Sequence, residues 1–196
     1  MCGRYQLDDD MKAIIERFDI KSIFEDANRK IGEIFPTDRA PVIVSNEGAP
    51  ALKIFRWGIR PSFMDRDIIN TRRESLFSKK MFTGAAKSSR CLIPANGFYE
   101  WQRENDRKIK RRIYMEDEKI MAFAGIYMYA RDPKGDGLVW SFSIITKEAA
   151  GEVLKIHDRM PVILRREDEF PWLDESLGKE GIERLIERSC IDLKTA

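Results

Sequence analysis

Cys2 stands directly behind Met1 in the opening run MCGRY. Its side chain is small enough for the methionine to be removed readily, and removal leaves an amine and a thiol on adjacent carbons. The freed α-amine has a reference pKa near 7.8, against about 10.4 for lysine, so roughly a fifth of it is free base at neutral pH. A free amine adds to an aldehyde to form a Schiff base, and the neighbouring thiol can then close a five-membered thiazolidine. Both steps gain from proximity once the first bond has formed. With Met1 attached the same nitrogen is an amide and this route is shut. A cysteine placed at position 2 by chance is the bland alternative.

Other residues could serve such chemistry. Glu100 lies between aromatics in GFYEW. A carboxyl in an apolar strand either raises its pKa and becomes a proton shuttle or turns outward into solvent, and this fragment suits both equally. His157, in IHDRMPVIL, is the only histidine of the chain. Beside Asp158 and Arg159 it could act as acid or base near pH 7, although lone histidines are more often structural. INTRRES places Asn70 and Arg72 in a polar stretch, where amide and guanidinium groups suit a sugar and a phosphate, or simply solvent. The basic run RKIKRR at 107–112 reads as the solvated edge of a hairpin rather than a binding face.

Positioning these groups requires a framework. DDDMKAIIERFDI predicts a short helix with Met11, Ile14, Ile15 and Phe18 on one face. PVIVS, LKIFRWGI, IMAFAGIYMYA and LVWSFSIIT read as strands, the last two joined by the loop signal RDPKGDG. RCLIPANGFYEW combines strand-forming residues with a turn. Residues 62–90 read as polar and irregular. KEAAGEVLKIH predicts a helix, PVILRR a short strand and EGIERLIERSC an amphipathic helix. Strands outnumber helices without βαβ alternation. The expectation is therefore an α+β fold, a single domain over 1–196 built on a mostly antiparallel, barrel-like sheet with flanking helices.

The bulk composition narrows the classes. The chain has 196 residues, 43% hydrophobic and 35% charged, with a formal net charge of +2, so any basic footprint must be local. Three scattered cysteines, Cys2, Cys91 and Cys190, form no CxxC pair, and one histidine supplies no zinc-ligand set. No metal and no cofactor are expected, and a reducing, cytoplasmic setting fits. Aspartates in the first ten residues exclude an apolar signal core, and no apolar run is long enough to span a membrane.

Taken together, MCGRY, WGIRPSF, NTRRES, RCLIPANGFYEW, AGIY and IHDRMPVIL resemble, in order, the blocks of the SRAP family, the SOS-response-associated peptidases or abasic-site processing proteins. The resemblance runs from residue 2 to about 164. It implies a protein that binds single-stranded DNA carrying an abasic site and, after loss of Met1, crosslinks Cys2 to the ring-opened sugar aldehyde as a thiazolidine. Met1 removal by the protein itself and reversal of the crosslink belong to the same expectation. Carried over by position, Cys2 is the nucleophile, Asn70 holds the open sugar, Glu100 moves protons and His157 assists ring opening and reversal. DNA contacts fall on Arg4, Pro36, Phe63, Arg72, Lys80 and Arg159. Lys80 stands where the family often has arginine, and Phe63 where some members have tryptophan. NTRRES replaces the commoner NARSET, and the chain ends earlier than the family pattern. A monomer, associated with the nucleoid when on DNA, is expected. Two other readings remain: a thiol peptidase using Cys2, Glu100 and His157 on external peptides, and a single-strand DNA-binding module without chemistry.

Overall fold

The computed structural model describes residues 2–24, 29–105, 107–133, 135, 137–189 and 192–196. Met1, on whose removal the amine chemistry depends, and Cys190 lie outside the described residues. The strands in chain order are β1 (Tyr5–Leu7), β2 (Ser22–Ile23), β3 (Gly32–Ile34), β4 (Arg39–Asn46), β5 (Ala49–Trp57), β6 (Asn70–Arg72), β7 (Arg90–Ala95), β8 (Gly97–Glu104), β9 (Arg107–Tyr114), β10 (Met121–Arg131), β11 (Leu138–Glu148), β12 (Arg159–Pro161), β13 (Ile163–Leu164) and β14 (Lys194–Thr195). The helices are α1 (Met11–Arg17), α2 (Lys80–Ser88), α3 (Arg166–Leu173) and α4 (Lys179–Arg188). This is the α+β architecture expected from the sequence.

Two sheets form. The first is antiparallel, in the order β14-β9-β8-β1-β3. The second runs β12-β11-β10-β7-β4-β5-β2, with β6 and β13 attached at its side. Parallel pairing of Arg56 and Trp57 on β5 with Ser141 and Phe142 on β11 joins two members of that path. It closes β11-β10-β7-β4-β5 into a five-stranded ring, the barrel-like element. Gly125 is the point of closest approach inside β10: a Cβ there would lie 2.3 Å from Ile93 Cδ1.

Aromatic rings fasten the two sheets together. Tyr5 of β1 sets its ring edge-on to Trp57 and Phe123, with centroids 5.1 and 6.0 Å apart, and Phe98 meets Phe123 at 6.0 Å. All four rings are fully buried. Such pairs contribute about 0.5–1.5 kcal/mol each beyond the area they bury.

The helices follow from local chemistry, with corrections to the sequence reading. Asp10 caps α1 by accepting the Ala13 amide at 2.9 Å, and Ile14 and Phe18 enter the core. α4 buries Ile182, Leu185 and Ile186 on one face, as its pattern predicts. No helix forms over KEAAGEVLKIH. Instead Lys147 and Glu148 extend β11 and pair with Met160 and Arg159 of β12, and Gly151, at φ 57°, admits only a 3-10 turn over Gly151–Lys155. Conversely, residues 62–90 are more regular than they read. They contain β6, a 3-10 turn at Arg73–Ser75 and α2, whose Phe82 and Ala86, four apart, point inward. PVILRR divides among β12, β13 and the start of α3. None of the described helices is long and apolar enough to cross a membrane.

Candidate active site

The register of β1 on β8 builds the site. Tyr5 pairs with Phe98, and the Tyr99 amide donates to the Arg4 carbonyl at 2.9 Å. Beyond this pairing the chain start brings Cys2 within electrostatic reach of Glu100. Cys2 is fully buried, and its thiol donates to the Arg4 carbonyl at 3.6 Å. Burial, reinforced by the Glu100 charge, pushes the Cys2 thiol far above its ordinary range. It is held as a neutral thiol and needs a base to become nucleophilic.

Asn70 reaches the same point from the second sheet. Its strand pairs in parallel with β11, Asn70 opposite Ile144, and its Nδ2 donates to the Cys2 carbonyl at 2.7 Å. Asn70 Oδ1 is buried and has no hydrogen-bond partner among the described residues. One end of the amide therefore fixes the chain start, while the other is left to accept from something that arrives.

Glu100 lies on the inward face of β8, 3% exposed. Burial raises its pKa, the nearby His157 moderates the rise, and Asp158 adds to it. The carboxyl is thus poised to hold a proton at a pH where an exposed glutamate has lost one. His157 follows the 3-10 turn, and its Nδ1 accepts the Arg159 amide at 3.0 Å. That bond fits the neutral ring with its proton on Nε2. The protonated ring instead matches Asp158, whose Oδ1 lies 2.8 Å from the same nitrogen. Asn70 and Glu100 therefore lie beside Cys2, and His157 lies near Glu100.

The residues assigned to DNA are arranged differently. Arg4 stacks over Phe35 and Trp101, at 4.3 and 5.0 Å, and bonds Glu33 at 3.2 Å. Pro36 is half-buried in the turn between β3 and β4. Phe63 is 71% exposed in the loop between β5 and β6. Arg72, ending β6, and Lys80, opening α2, are exposed. Arg159 is the exception, at 9% exposure. Its guanidinium bonds both oxygens of Glu74 at 3.0 and 3.1 Å, Glu148 at 3.0 Å and the Thr146 carbonyl at 2.8 Å. In this structure Arg159 ties β12 to β11 and to the turn after β6. Sequence reasoning missed Glu74 and Glu33, the carboxylates that hold two of the assigned arginines. Glu74 is two residues beyond Arg72 in a motif already singled out; Glu33 carried no signal.

Comparisons with known proteins identify the family and the fold. The family described as SOS response associated peptidase (SRAP) matches residues 1–192. The abasic site processing protein YoqW of Bacillus subtilis is 35% identical over 181 residues, 89% of this chain and 80% of that protein. The abasic site processing protein YedK of Escherichia coli is 29% identical over 192 residues, 93% and 84% of the two chains. A crystal structure of a protein from Bacteroides thetaiotaomicron superposes with a TM-score of 0.82 at 26% identity, covering 99% of this chain and 90% of the other.

Proposed function

Because the chain belongs to the SOS response associated peptidase family, we propose that it processes abasic sites in single-stranded DNA by crosslinking itself to them through Cys2. The observation that carries this reading is the bond from Asn70 Nδ2 to the Cys2 carbonyl beside the buried Glu100 carboxyl. A thiol, an amide and a buried carboxyl meeting at the start of the chain support roles as nucleophile, polar anchor and proton carrier. Relatives named as abasic site processing proteins support the substrate class.

The steps balance as follows. Hydrolysis of the Met1–Cys2 amide frees the Cys2 amine. The amine adds to the aldehyde carbon of the ring-opened sugar, giving a carbinolamine. Glu100, whose burial favours the protonated form, delivers its proton to the departing hydroxyl, and water leaves with formation of the iminium ion. The resulting Glu100 carboxylate takes the thiol proton as the Cys2 sulfur closes on the iminium carbon, which leaves a neutral thiazolidine that keeps its ring N–H and restores the Glu100 carboxyl. Crosslinking releases one water, and the preceding hydrolysis of the Met1–Cys2 amide consumes one. Asn70 Oδ1 accepts from a sugar hydroxyl, and His157 exchanges protons with the ring oxygen during opening and reversal.

A thiol peptidase acting on external peptides fits less well. Such an enzyme needs a thiolate but no free α-amine, so it leaves the place of Cys2 directly behind Met1 unexplained.

Intact-mass analysis of the mature protein with an abasic-site oligonucleotide tests the proposal. The expected product is an adduct lighter by one water than the sum of its parts, stable without reduction. Cys2→Ser, which keeps the amine and loses the thiol, should give only an imine that borohydride traps. A stable adduct from Cys2→Ser, or none from the parent protein, refutes the thiazolidine.

A further inference from the structure

The alternation of β8 and β9 sorts the first sheet into two unlike faces. Phe98, Glu100 and Ile113 turn inward and are buried. The next residues along turn outward: Tyr99 and Trp101 on β8, with Lys108, Lys110 and Arg112 on β9, the last two paired in register with Trp101 and Tyr99. Arg4 joins this outer face from the chain start, two residues from Cys2. The run RKIKRR is therefore not one cluster. Arg111 turns away to bond Gln102 and Glu104 at 2.9 and 2.8 Å, while Lys108 and Lys110 stand exposed, Lys110 over the Tyr99 ring.

Cations and rings alternate across that face. Besides the stacking of Arg4 on Phe35 and Trp101, Lys110 Nζ lies 3.9 Å from the Tyr99 ring centre, and the Arg112 guanidinium 4.9 Å from Tyr114. Tyr99 Oη donates to Gln6, which fixes its ring. Protection of a sheet edge accounts for lysines on β9, but not for the row of half-buried aromatics next to them. Interleaved cations and flat rings suit a strand with unpaired bases, whose phosphates bond the cations while its bases stack. Glu33 interrupts the field: its carboxylate takes both Arg4 and Lys110. Burial opposes its ionisation, but those two bonds outweigh the burial and hold it below the usual carboxylate range.

We propose that the outer face of the first sheet, from Arg4 across Trp101 and Tyr99 to Lys108 and Lys110, is a track for single-stranded nucleic acid leading away from Cys2. Glu33 occupies the place of a phosphate on it until the strand arrives. The proposal deepens the abasic-site reading and rests on it for the direction of the strand, but the track binds undamaged bases.

Fluorescence anisotropy with undamaged oligothymidylates of about 5 and about 15 nucleotides, over a salt series, tests it. For the double variant Lys108→Gln/Lys110→Gln, the salt slope on the longer strand should fall by about 1.4, at about 0.7 per lost phosphate contact. Affinity for that strand should drop about tenfold, and for the shorter one less. Glu33→Gln should bind the longer strand several-fold more tightly, a gain that misfolding does not produce. An unchanged slope in the double variant, or no gain from Glu33→Gln, overturns the track. So does equal competition by polyglutamate, which offers charge without bases. Failure of the crosslinking reading shows separately, as the absence of any adduct from the parent protein, whatever the anisotropy reports.

Discussion

Burial favours the protonated forms of Glu100 and Cys2 alike. The carboxyl is raised by burial and the thiol by burial together with the charge Glu100 would carry. Their proton inventory is therefore set by position more than by residue type. Glu100→Gln keeps the shape and removes the proton carrier, so adduct formation should slow by about two to four orders of magnitude, as quenched-reaction gels would show. The same carboxyl leaves a mark on stability. Its pKa is higher folded than unfolded, so its contribution is full below the ordinary carboxylate range and declines as pH rises through the raised value. That decline should vanish in Glu100→Gln. Cys2 stood out in the sequence by its place behind Met1, whereas Asn70, Glu100 and His157, each as well suited to solvent or a structural role, were singled out by the ordered blocks that resemble a family. Whether Glu100 faces inward was not. Alternation within GFYEW permits either face, and only the pairing of β8 with β1 settles the choice.

At the scale of elements, Arg159 and its carboxylates tie β11, β12 and the turn after β6 into one unit. Burial opposes ionisation of Glu74, but its bonds to Arg159 prevail and hold it down to about 2 from an ordinary 4.5. A depressed acid stabilises the fold above its unfolded value and loses that contribution as pH falls. Acid titration of unfolding free energy should therefore steepen between those two values and flatten there in Glu74→Gln. Elements whose pattern is a simple alternation or a clear apolar stripe, such as β10, β11 and α4, were readable. Failure came where tertiary pairing overrode local preference. Lys147 and Glu148, in a helix-favouring run, are held in β11 by β12. α2 escaped notice because two inward residues, Phe82 and Ala86, are all that mark it in a polar stretch.

Across the whole molecule the two sheets meet at Tyr5, three residues from Cys2. Its ring packs against Trp57 and Phe123, while its hydroxyl is buried with no hydrogen-bond partner among the described residues. Tyr5→Phe should therefore be neutral or stabilising in chemical denaturation, whereas Tyr5→Ala should cost about 3–5 kcal/mol and abolish adduct formation as the chain start loses its anchor. The ring closure between β5 and β11 has a further bearing, on synthesis. Five strands and a helix separate the partners along the chain, so on the ribosome the edge of β5 at Arg56 and Trp57 emerges long before Ser141 and Phe142 can cover it. Pairing between such distant segments is slow, and the waiting edge is open to a neighbouring nascent chain. Lesions that weaken this seam should show first as insoluble protein at high expression, before any loss is measurable in the purified molecule.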